Sequence, residues 1–154
     1  IMHNIIIIEE NIKLRKQIKR ILISKLPFLS IAEASDEKET FLEIEETRPD
    51  LVIIDIQLAG ENGLNLTKEI KMQYPHIPVV INTNNDSPEY RNEATLVGAD
   101  YFLSKRSNTI NELVTLIESI FSKASVAANQ RSSAEHGQPP PEGLPHATSS
   151  SGRQ

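Results

Sequence analysis

The sequence predicts an α/β fold: a doubly wound, five-stranded parallel sheet in the order 2-1-3-4-5 with helices on both faces. Three observations lead there. The short apolar runs Ile5–Ile8, Leu51–Ile54 and Val79–Ile81 lack the alternation of a half-exposed strand, so they read as strands buried on both faces. Between them, apolar residues recur at helical spacing. Strand and helix signals alternate through residues 2–123 without an internal repeat, as parallel strands joined by right-handed crossovers require.

Ile5 to Ile8 is the first strand. Asn11 caps a helix whose inner face is Leu14, Ile18, Ile21 and Leu22, and Pro27 ends it. Leu29 to Ala32 makes a second, weaker strand. Asp36 with Glu39 forms a capping box ahead of a helix carrying Phe41 and Ile44. Leu51 to Ile54 is the third strand and runs straight into Asp55 and a glycine-bearing loop. A helix with Leu66 and Ile70 inward then continues to Tyr74-Pro75. Pro78 opens the fourth strand, Val79–Ile81. Ser87-Pro88 supplies the N-cap and first turn of the next helix, and Gly98 stops it. Tyr101 to Leu103 is the fifth strand. Thr109 with Glu112 boxes the last helix, whose apolar stripe is Leu113, Ile117, Ile120 and Phe121.

At 154 residues the chain has material for one substantial core. Aromatic residues make up only 5%, so aliphatic side chains must fill it. Cysteine is absent, which excludes disulfides and thiolate metal sites and suits a reducing compartment. No apolar segment approaches a membrane span, and the N-terminus lacks a secretory pattern. A net charge of −5 with a pI near 5.4 argues against direct nucleic-acid binding by this chain. The expected setting is cytoplasmic, without membrane contact. Composition shifts near Lys123: residues 1–123 form the expected domain. Residues 124–154, rich in Ser, Gly, Gln and Pro, read as a disordered tail or linker, or as an artificial extension.

The chemistry gathers at the carboxyl ends of the strands, where open α/β sheets bind ligands. The order 2-1-3-4-5 puts its switch point between strands one and three, so Glu9-Glu10 come beside Asp55. Three neighbouring carboxylates raise one another's proton affinity unless a cation sits among them. Oxygen-only ligation suits a hard ion, and a partly hydrated Mg²⁺ fits a shallow loop crevice. Strand four delivers the Thr83 hydroxyl to the same edge, and strand five the Lys105 ammonium. A lysine and a metal together neutralise a phosphoryl group in transfer, and Asp55 has the chemistry of a nucleophile forming an acyl phosphate. Each group alone has a plainer explanation: Glu9-Glu10 a solvated turn, Thr83 a strand-end hydroxyl, Lys105 a surface lysine. Their coincidence at four strand ends favours a site.

On these residues the chain resembles the receiver domain of bacterial two-component response regulators, a chemotaxis-type, flavodoxin-like receiver fold. The matching pieces are Ile5–Asn11 with its Glu9-Glu10 pair, Pro49–Asp55, Asn62-Gly63, Thr83, Gly98–Asp100 and Tyr101–Lys105, covering residues 4–122. The resemblance implies that Asp55 is the phosphoacceptor, taking its phosphoryl group from a sensor histidine kinase or a histidine phosphotransfer protein. It implies that Glu9, Glu10, Asp55 and the backbone carbonyl of Gln57 hold Mg²⁺, and that Lys105 contacts the phosphoryl oxygens. Thr83 and Phe102 would be switch residues, Thr83 moving toward phosphorylated Asp55 and Phe102 rotating inward. The helices after strands four and five, with strand five between them, would face an output domain or a second copy. Such a domain is a phosphoacceptor that assists its own chemistry, not a turnover enzyme.

The chain departs from the family pattern at several positions. Glu10 stands where an aspartate is common, and Mg²⁺ tolerates little deviation from octahedral geometry. Asn84 follows Thr83 where a small residue is usual, and Ala59 replaces a loop proline. Arg106 replaces the proline usually found after the lysine, so the Lys105–Arg106 bond is expected trans unless the site over-determines it. These changes leave open a degenerate pseudo-receiver acting through protein contacts alone. An aspartyl phosphatase typically needs a second acid two residues after the nucleophile, where this chain has Gln57. A flavin-binding domain of the same topology is disfavoured because Glu9-Glu10 would repel the phosphate.

Overall fold

Five apolar strands separated by amphipathic helices give the architecture its shape. The computed structural model describes residues 2–56, 61–106 and 109–137. In order these are β1 (His3–Ile8), α1 (Ile12–Lys25), β2 (Leu29–Ala34), α2 (Glu37–Thr47), β3 (Leu51–Ile56), α3 (Glu61–Gln73), β4 (Val79–Thr83), α4 (Pro88–Leu96), β5 (Tyr101–Ser104) and α5 (Ile110–Gly137). The strands form one sheet in the order β2-β1-β3-β4-β5, with every neighbouring pair parallel, as expected.

Side chains alternate across the central strands. Ile6, Ile8, Val52, Ile54, Val79 and Ile81 join a core completed by Ile44 of α2, Leu66 and Ile70 of α3, and Tyr90 and Ala94 of α4. Ile5, Ile7, Ile53 and Val80 alternate with them and are buried as well. This double burial explains why the strand sequences show no polar alternation. On α1, Ile18 and Leu22 are buried, whereas Leu14 and Ile21 are only half-buried. The inner face of α1 is narrower than its spacing implied, because Arg15 occupies part of it.

The caps form largely as the sequence indicates. Asn11 Oδ1 accepts the Leu14 N–H at 3.0 Å, Asp36 Oδ1 the Glu39 N–H at 2.8 Å, and Ser87 Oγ the Tyr90 N–H at 3.1 Å. The box at α2 is modified: Glu39 accepts from the Ser35 N–H and hydroxyl, one residue earlier than the reciprocal arrangement predicts. Gly98 adopts a φ of +101°, a backbone position that favours glycine, and a Cβ there would crowd Lys71 Cγ at 3.1 Å.

The chain divides into two units, Ile1–Thr115 and Leu116–Gln154. The first carries the whole sheet and the candidate site. In the second, Ile117, Ile120 and Phe121 are buried. A disordered tail or linker was expected over residues 124–154; α5 runs to Gly137. Ala124, Ala127, Ala128, Gln130 and Arg131 are strong helix formers, and the first proline comes only at Pro139. Residues 138–154 lie outside the described residues. Among the described residues no helix is long and apolar enough to cross a membrane.

Candidate functional site

Asp55 is the fifth residue of β3, paired with Asn82 in the β3–β4 register and only 2% exposed. The apolar run before it holds it inside the sheet; it extends the ladder instead of beginning the loop. Its Oδ2 accepts from Asn82 Nδ2 at 3.2 Å, and its Oδ1 accepts from the Lys105 ammonium. Lys105 follows the last residue of β5, and its backbone N–H donates to the Thr83 carbonyl at 2.7 Å. A buried carboxylate thus has a charged and a neutral donor, one on each oxygen.

Glu9 stands one residue beyond the last β1–β3 pair, Ile8 with Ile54, and is 1% exposed. Its Oε2 accepts the Asn11 N–H at 2.8 Å. Its Oε1 is buried with no hydrogen-bond partner among the described residues. Burial foremost, with the Asp55 carboxylate adding to it, pushes the Glu9 carboxyl up to about 7 against the opposing pull of the Asn11 N–H and Lys105. Arg15, itself buried, donates from Nη1 to the Glu9 carbonyl at 2.7 Å and from Nε to Glu33 Oε1 at 2.8 Å.

Glu9, Glu10 and Asp55 line one cleft of about 300 Å³, together with Asp36 and Asn65. Glu10 is exposed at the rim. The three predicted carboxylates therefore share a crevice, yet among the described residues no three acidic or imidazole groups gather tightly enough to make a ready ligand set. Gln57, whose carbonyl was the fourth expected ligand, lies outside the described residues, as does Ala59. A buried, unpartnered carboxylate oxygen beside a second carboxylate is nonetheless the donor chemistry a hard cation satisfies, and Mg²⁺ keeps several waters.

Thr83 is buried at the last residue of β4, and its Oγ1 accepts the Asn85 N–H at 3.1 Å. The hydroxyl is at the expected sheet edge but engages its own loop, outside the lining of the carboxylate cleft. Phe102 is half-buried against the core, with its ring centroid 6.1 Å from that of Tyr90 and the Arg91 guanidinium carbon 4.4 Å above its face. Asn84 is exposed. The Lys105–Arg106 bond is trans, since no peptide bond among the described residues is cis.

Asn82 is the site residue that sequence reasoning passed over. Its signal was legible: an amide directly after the apolar run Val79-Val80-Ile81, level with Asp55 once the strands are in register. Arg15 gave no such signal, since a cation on a helix reads as solvated until its partners are seen.

A family model of the response regulator receiver domain matches residues 5–118. The chain belongs to that family. This receiver domain is 31% identical over 120 residues to the Fimbriae Z protein of Salmonella typhimurium, covering 77% of the chain and 56% of that protein. It is 30% identical over 116 residues to the DNA-binding transcriptional activator EvgA of Escherichia coli, covering 75% and 55%. The chain thus spans about half the length of these relatives. Among solved structures, a DNA-binding response regulator of the LuxR family from Staphylococcus aureus matches with a TM-score of 0.67 and 28% identity, over 77% of this chain and 98% of that one. The receiver domain is that of a two-component response regulator, and its sheet order is that of the family.

Proposed function

We propose that this receiver domain accepts a phosphoryl group on Asp55 from the phosphohistidine of a sensor kinase or histidine phosphotransfer protein, and that this drives a conformational switch. The observation that carries it is the Asp55 carboxylate itself, buried and held between Lys105 and Asn82, beside a Glu9 oxygen that has no hydrogen-bond partner among the described residues. A carboxylate fixed in this way is oriented for in-line attack, which is most of what phosphoryl transfer needs from a protein. In the transfer an Asp55 oxygen forms the new P–O bond, the P–N bond of the donor breaks, and the imidazole leaves with a proton. The Lys105 ammonium is placed to follow the developing negative charge from the carboxylate to the phosphoryl oxygens. Glu9 and Asp55, with Glu10 through water and the Gln57 carbonyl, would hold Mg²⁺, which supplies further neutralisation of phosphoryl charge when bound.

The switch would run through Thr83 and Phe102. Drawing the Thr83 hydroxyl toward a phosphoryl group gives up its bond to the Asn85 N–H and loosens the loop ahead of α4. Phe102, beneath Arg91, would then turn inward and alter the surface of α4 and β5 offered to an output domain or a second copy. Relatives named as transcriptional regulators support an output in gene control, in the cytoplasm. The function proposed for the chain is that of a phosphoacceptor without turnover of small substrates.

Acetyl phosphate with Mg²⁺ tests this. Wild type should gain an acid-stable, base-labile adduct, and Asp55→Asn should gain none. No adduct on wild type overturns the proposal and favours a phosphorylation-independent interaction module, the reading that the exposed Glu10 and the open carboxylate cluster support.

A further inference from the structure

We propose that Asp86 and Ser104 are positioning residues for Lys105, a polar latch between the loop after β4 and the end of β5. The inference rests on the phosphoacceptor reading of Asp55 and adds how the ammonium is held in place.

Ser104 is the last residue of β5 and is 3% exposed. A hydroxyl so buried needs partners, and it has two: Ser104 Oγ donates to Asp86 Oδ2 at 2.8 Å and accepts the Arg106 N–H at 3.2 Å. These bonds flank Lys105 on both sides. Between them the Lys105 N–H donates to the Thr83 carbonyl. Ser104 and Lys105 are thus tied to β4 or its loop, and Arg106 is tied through its N–H to Ser104. The Arg106 guanidinium adds a weak, exposed contact to Asp86 at 4.0 Å.

The loop on the other side is fastened as well. The Asn85 N–H donates to Thr83 Oγ1, and the Ser87 N–H donates to Asn85 Oδ1 at 3.3 Å. Asp86 therefore presents its carboxylate from a segment held at each end, and an acceptor that is charged makes the stronger bond. Lysine reaches its target on a flexible four-carbon stem, so an anchored backbone narrows the range of positions the charge can take. Arg106, unlike a proline, leaves its φ free. The latch supplies the missing stiffness.

A plainer role for Asp86 is charge compensation at the N-terminus of α4, two residues away. That role would affect stability and leave Lys105 where it is.

The full chain is compared with Asp86→Ala, Asp86→Asn, Ser104→Ala and the double alanine variant. Asp86→Asn keeps a carbonyl acceptor for the Ser104 hydroxyl. Two readouts are taken: the rate of Asp55 modification by acetyl phosphate with Mg²⁺, and the ¹³Cε NMR signal of Lys105 without phosphodonor, identified by its loss in Lys105→Arg. A misplaced catalytic group costs up to about a hundredfold per ångström, so Asp86→Ala and Ser104→Ala should each slow modification about tenfold. The double variant should be no slower than either, and Asp86→Asn should recover most of the rate. The Lys105 signal should move toward that of exposed lysines in the alanine variants and stay in place in Asp86→Asn. Additive losses, or an unmoved Lys105 signal, overturn the latch. If wild type takes no phosphoryl group, the phosphoacceptor reading fails separately, and the Lys105 signal alone decides the latch.

Discussion

Glu9 carries the sharpest conflict at the scale of single residues: a carboxyl with one oxygen bonded to the Asn11 N–H and the other buried with no partner among the described residues. Its folded value is raised to about 7 from the ordinary 4.5, so the folded chain keeps a proton that the unfolded chain releases. The corresponding stability is full below about 4.5 and is lost as pH rises through 7. Metal-free protein should therefore melt progressively lower between pH 5 and pH 8 in a thermal scan, and Glu9→Gln should flatten that part of the profile. A profile with the same slope in both proteins would mean that the unpartnered oxygen carries no such cost. Asp55 meets the same burial with two donors, which is why it can stay inside the sheet.

Between elements, charge and aromatic contacts set how α1 and α4 lie on the sheet. Burial alone would raise the Glu33 carboxyl on β2, but hydrogen bonds from Arg15, Lys16 and Lys19 of α1 outweigh it and hold the group down at about 2. The sign is opposite to that of Glu9: this stability is present above 4.5 and disappears as pH falls toward 2. Discounted for solvent around the lysines, Glu33→Gln should cost about 1–2 kcal/mol at pH 7 and little at pH 2.5, read by urea titration at each pH. Because Arg15 also holds the Glu9 carbonyl, the same variant should loosen the acidic loop. At α4, Arg91 sits over Phe102, a contact worth about 0.5–1 kcal/mol at an exposed site. Arg91→Ala removes a restraint that favours the present Phe102 position. It should raise the inward-rotated population about two- to fivefold, measured by aromatic ¹³C shifts with and without acetyl phosphate.

At the scale of the whole molecule, stability is concentrated in the doubly buried strands. Ile53, fully buried in the central strand, should cost about 2–5 kcal/mol when replaced by alanine, visible as a lower urea midpoint with an unchanged slope. The fold was legible because apolar runs with glycine and proline boundaries admit few topologies once crossovers must be right-handed. That Asp55, Glu9, Glu10, Thr83 and Lys105 lie at one sheet edge was legible because parallel strands bring all their carboxyl ends together. Composition did not reveal where the last helix ends: the Ser- and Ala-rich stretch after Lys123 continues as helix to Gly137, and alanine has a high local helix propensity.

By itself the sequence determined the sheet order, the helix caps and which edge would hold the acid, hydroxyl and amine, since these follow from local periodicity and chain direction. Only the tertiary structure decided that Asn82 shares Asp55 with Lys105, that Glu9 is buried while Glu10 faces solvent, and that Asp86 grips Ser104. Those outcomes depend on side-chain packing between strands far apart in the chain, where a rotation about one bond separates a buried partner from an exposed one.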